Sequence, residues 1–144
     1  MSSASPSPWP QLRAVAITAL VAAVAGDILF CIATGQFEVT TAFLMLWGFF
    51  LIAAAHIALA APPIARIVIG SQPLTPFNCA LTGMLAGVLP TAAFLVIGVA
   101  AQTYLGNAVD LREWLFGLVG MAICGIVAGL VFEAVSPARG GRRG

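Results

Sequence analysis

Four long apolar runs decide what this chain can become. They lie at about Leu12–Ala33, Ala42–Ala61, Phe77–Ala101 and Trp114–Val135. Each holds at least the ~20 residues that a helix needs to cross a ~30 Å hydrocarbon layer. Lipid offers no hydrogen bonds to a bare backbone, so a spanning segment must be a helix or a strand of a closed barrel. These runs lack the period-two alternation of barrel strands. The expected fold is therefore all-α and integral to the membrane, with four transmembrane helices in an up-down bundle. Composition agrees: 61% of residues are hydrophobic and 8% charged, too little charge to cover a soluble surface.

The punctuation between the runs has local causes. Residues 1–11, MSSASPSPWPQ, are Ser/Pro-rich without apolar periodicity and predict a disordered tail. Thr34-Gly35-Gln36 closes the first helix with a glycine suited to a left-handed cap. Pro62-Pro63 is expected to stop the second helix, because proline has no N–H to continue the ladder. The short Ile64–Gly70 stretch after it is expected to lie in the interface. Thr75-Pro76 opens the third helix with a capping hydroxyl and a first-turn proline. Ser136-Pro137 ends the fourth, so that residues 12–136 form the membrane domain and 137–144 a basic tail.

Charge sets orientation and excludes some functions. Arg13, Arg66, Arg139, Arg142 and Arg143 fall on one side of this arrangement, and Arg112 alone on the other. The positive-inside rule then places both termini in the cytoplasm. Every basic residue is arginine, and Ala, Gly and Pro abound, which suggests a GC-rich, bacterial coding sequence and an inner-membrane location. A net charge of +1 leaves no basic face for nucleic acid. Cys31, Cys79 and Cys124 show neither CxxC nor Cys/His metal-ligand spacing. They fall at three depths, so no intrachain disulfide is expected. No motif calls for a metal or cofactor. The expected partners are the lipid bilayer and either a second copy or another membrane protein.

An alternative treats the first 25 residues as a signal peptide, with Ala23-Val24-Ala25 as its cleavage site. The apolar run continues through ILFCIA to spanning length, which favours retention as a helix.

Helices in lipid gain from close backbone approach. Gly83 and Gly87 form one GxxxG, and Gly125 and Gly129 another. Gly26 joins Ala16, Ala19 and Ala23 in a small face on the first helix, while Gly117, Gly120, Cys124 and Ala128 form a second stripe on the fourth. Internal packing is the expected use, with a dimer seam as the alternative. Pro90 falls mid-helix, where it frees the carbonyl of Ala86 and favours a kink.

Polar residues inside hydrocarbon are the default functional candidates. Here they are Asp27, His56, Thr82, Thr91 and Glu133. Counting helical rise from each midpoint puts Asp27 about 7 Å outward and His56 about 7 Å inward, which argues against a direct pair. Thr82 and Glu133 fall about 10 and 13 Å inward, so His56, Thr82, Glu133 and Asn78 could form one inner polar cluster. Thr91, about 4 Å outward, is the nearest in depth to Asp27. Glu133 is close enough to the interface to snorkel toward Arg66 or Arg139. A charged Asp27 would cost roughly 2.5–3.5 kcal/mol at a helix centre, so it is read as a neutral carboxyl making a helix-contact hydrogen bond. The leading functional expectation is a non-catalytic subunit or assembly factor of a membrane complex. The alternatives are a small oligomeric proton-coupled transporter or channel using Asp27, and a lipid- or quinone-acting enzyme using His56 and Glu133.

Overall fold

Proline in the first turn of a helix sacrifices no internal hydrogen bond, and α1 (Trp9–Thr34) starts on this basis, with Pro10 as its second residue. The structure, a computed structural model, describes residues 9–106, 108 and 110–136. The basic tail with Arg139, Arg142 and Arg143, and the N-terminal tail as far as residue 8, lie outside the described residues. After α1 come α2 (Val39–Ala55), a single π-turn (His56–Ala60), α3 (Ala61–Val68), α4 (Pro76–Tyr104) and α5 (Leu111–Val135). Among the described residues every regular element is helical. Four stretches are long and apolar enough to cross a membrane: Gln11–Thr34, Val39–Val68, Pro76–Tyr104 and Trp114–Val135.

The caps behave as their residues require. Gly35 ends α1 at φ 67°, and its N–H reaches the Cys31 carbonyl at 2.9 Å, a left-handed cap that any side chain would strain. Thr75 and Asn78 open α4 with a reciprocal box. The Asn78 N–H donates to Thr75 Oγ1 at 3.3 Å and the Thr75 N–H to Asn78 Oδ1 at 2.8 Å. Asn78 Nδ2 also donates to the Pro73 carbonyl at 3.0 Å. That side chain is consumed as a cap and is not free to join an inner polar cluster.

Pro62-Pro63 does not stop the second span. The helix widens first: the Ala61 N–H bonds the carbonyl of His56, five residues back. The prolines then occupy the first turn of α3, where an absent N–H is tolerated. Val39–Val68 thus runs as one apolar stretch of 30 residues, and the segment expected in the interface continues the helix and packs on α4.

The helices form a ring of contacts. α1 touches α2 and α5, α5 touches α4, and α4 closes on α3 and the π-turn. The tightest seam joins α4 to α5. A Cβ built on Gly83 would run into the carbonyl of Gly125, one on Gly125 into the carbonyl of Gly83, and one on Gly129 into the carbonyl of Cys79. At Gly87 it would stand 2.6 Å from the Met121 carbonyl oxygen. Backbone here meets backbone. Gly117 and Gly120 face open space, so the small stripe expected on α5 is divided between a packed half and an open half. On α1 the buried positions are Ala14, Thr18, Ala19, Ala22, Ala23, Gly26 and Cys31, whereas Ala16 is exposed. Gly26 faces Phe49 of α2 and Cys124 of α5, 3.2 and 3.7 Å from its built Cβ.

Candidate functional site

Within the ring is a partly open cavity of about 270 Å³. Every helical element contributes to its wall, from Val15 on α1 to Phe132 on α5. Interiors normally pack with few voids larger than a water molecule, so a space of this size at the centre of the fold is the natural candidate site. Its lining is almost entirely aliphatic, aromatic and small. Three polar side chains interrupt it: Thr18 from α1, His56 from the π-turn and Thr82 from α4.

These three differ in their hydrogen bonding. Thr82 Oγ1 donates to the Asn78 carbonyl at 2.7 Å, one turn back on its own helix, so it adds little free polarity. Thr18 is 2% exposed, and its Oγ1 is enclosed without a hydrogen-bond partner. His56 is half-buried. Its Nδ1 lies 2.7 Å from the carbonyl oxygen of Ile52, and a carbonyl can only accept, so Nδ1 carries the hydrogen. In the neutral ring Nε2 is then an acceptor, and it too is enclosed and unpartnered. An unpaired buried polar group costs about 1–3 kcal/mol. Two among the residues that line one cavity single it out.

The π-turn accounts for the placement of His56. Wide turns of this kind recur at functional positions, and here the turn begins at His56 itself. It inserts the slack that lets α3 pass over the prolines and line the cavity with Ala61, Pro62, Ala65 and Ile69.

Of the polar candidates read from sequence, the structure brings His56 and Thr82 to one cavity and leaves the others outside it. Asp27 is half-buried on α1, with Oδ1 enclosed and unpartnered. Nine residues separate it from Thr18, about 13 Å of helical rise. Thr91 does not serve Asp27 through its hydroxyl, which donates to the Gly87 carbonyl at 2.7 Å. Glu133 is half-buried next to Phe132, which lines the cavity where Glu133 does not. Glu133 thus stands outside the cavity that His56 lines. The three cysteines are free.

Sequence reading missed Thr18. Nothing in ITALVAAV separates it from a helical threonine that bonds its own backbone, and only the fold shows the hydroxyl unpaired. Compared with known proteins, the chain matches no family model, no curated protein and no solved structure.

Proposed function

We propose that this protein is a non-catalytic, multi-pass component of a bacterial cytoplasmic membrane, a subunit or accessory factor that acts through lateral helix contacts. The helices alternate in direction, and both termini lie in the cytoplasm with Arg13 and Arg66. The observation that carries the reading is the state of α2. It packs chiefly on α1, and none of its residues is buried. Its face holds a row of edge-on rings, Phe43–Trp47 at 6.3 Å and Trp47–Phe50 at 6.0 Å between centroids. The paired glycines of α4 and α5 serve packing within the chain, which leaves α2 as the face for a partner helix. The links between spans support the same view. Residues 35–38 and 69–75 are too short to build a domain outside the bilayer.

The test is a photo-crosslinking residue placed on α2 at Leu44 or Leu51, both more than 60% exposed, with Phe94 and Val96 of α4 as comparison sites. After mild detergent extraction, one membrane protein in stoichiometric yield from α2 alone is the expected result. Lipid adducts from all four sites would end the proposal.

The enclosed, unpartnered Asp27 Oδ1 favours one second reading, a proton-coupled transporter whose carboxyl meets its partner or cargo at a subunit contact. Proton-coupled flux into vesicles that collapses with Asp27→Asn supports it, and unchanged flux removes it.

A further inference from the structure

We propose that the central cavity binds a small lipid-soluble molecule bearing a hydroxyl group, with that hydroxyl held between His56 and Thr18. Three observations converge. The cavity of about 270 Å³ is lined almost wholly by apolar side chains, and an apolar cavity of roughly 150 Å³ already accepts a benzene ring. Its wall carries two enclosed polar atoms with no partner in the chain, Thr18 Oγ1 and His56 Nε2. Their chemistry is complementary: Nε2 accepts, because Nδ1 donates to Ile52, while a threonine hydroxyl can donate.

A hydroxyl that meets both, once the two enclosed side chains turn toward the cavity, donates to His56 Nε2 and accepts from Thr18. A ketone or an ether has no hydrogen to give Nε2, and a pure hydrocarbon leaves both atoms unpaired. Four other helical threonines show that the Thr18 arrangement is not imposed by the helix. Thr34, Thr82, Thr91 and Thr103 each donate to the carbonyl four residues back at 2.7–2.9 Å. Thr18 does not. Its hydroxyl is held for something else. The molecule's apolar body then lies against Ala86, Cys124 and Phe132 on the far helices. Binding does not depend on any partner at α2.

The chain contains a single histidine, so its imidazole nitrogens give an unambiguous signal. The experiment is nitrogen NMR of the full chain in lipid nanodiscs, with labelled histidine, titrated with para-propylphenol, with its methyl ether para-propylanisole, and with geraniol. The phenol and the isoprenoid alcohol distinguish two sources of the same hydroxyl chemistry. The expected result is a saturable shift of Nε2 with one or both hydroxyl compounds. The methyl ether should bind about tenfold more weakly, as loss of one hydrogen bond implies. Thr18→Val should weaken the hydroxyl compounds and the ether alike, because the oxygen of each accepts from Thr18, and Thr18→Ser should restore both. Equal affinity for phenol and ether would overturn the recognition of a hydroxyl. No saturable shift with either hydroxyl compound would overturn the site and assign the two groups to a bridging water.

Discussion

Thr82, Thr91 and Thr103 turn their hydroxyls back onto the preceding turn at 2.7–2.8 Å, the local solution open to any threonine in a helix. Thr18 is packed to 2% exposure without it. At this scale the unpaired hydroxyl is a liability for folding. Thr18→Val keeps the shape and removes the orphan oxygen, and is expected to stabilise the ligand-free protein by about 1 kcal/mol. Reversible unfolding in bilayer-like medium measures it, and a destabilisation of similar size would mean that the hydroxyl has a partner after all. What the sequence disclosed here follows from cost. Asp27 and His56 stand out because charge and imidazole are expensive in hydrocarbon. Thr18 did not, because its state depends on a rotamer fixed by neighbours from other helices. Asn78 was misplaced for a related reason: its role in the Thr75 box needs the local turn, which Pro76 only hints at.

Elements were legible where backbone chemistry is local and obscure where it is not. Four runs of spanning length could be nothing but helices, and Gly35 could be read as a cap. Pro62-Pro63 misled because a missing N–H stops a regular α-helix, whereas one π-turn ahead of it, closed by Ala61 N–H to the His56 carbonyl, absorbs the mismatch. The glycines separate in the same way. Gly83 and Gly125 meet each other's backbone, while Gly117 meets nothing, though all three fall on stripes of small residues in the sequence. Gly83→Ala is therefore expected to force α4 from α5 and cost at least 1–3 kcal/mol, the usual penalty of overpacking. Gly117→Ala should be neutral or gain about 0.5–1 kcal/mol from helix propensity. Comparing the two variants by thermal unfolding checks the seam, and equal responses would contradict it.

At the scale of the whole molecule, the chain is a ring of helices around an apolar space, with its least buried helix at the edge. Sequence alone gives the number of spans, since length and hydropathy suffice for that. It does not give the cavity, which exists only once α1, the π-turn, α4 and α5 are brought together. Everything proposed for it, the partner at α2 and the hydroxyl compound inside, assumes that each of the four stretches crosses the bilayer. The most direct test is labelling by a membrane-impermeant thiol reagent of Gln36→Cys, Gln72→Cys and Ala108→Cys, each introduced singly into a chain without native cysteines. These positions are exposed links between consecutive spans. We expect Gln36→Cys and Ala108→Cys to label on intact cells, and Gln72→Cys only after permeabilisation. Labelling of Gln72→Cys from outside together with Gln36→Cys would contradict the account, because the second stretch would then fail to cross.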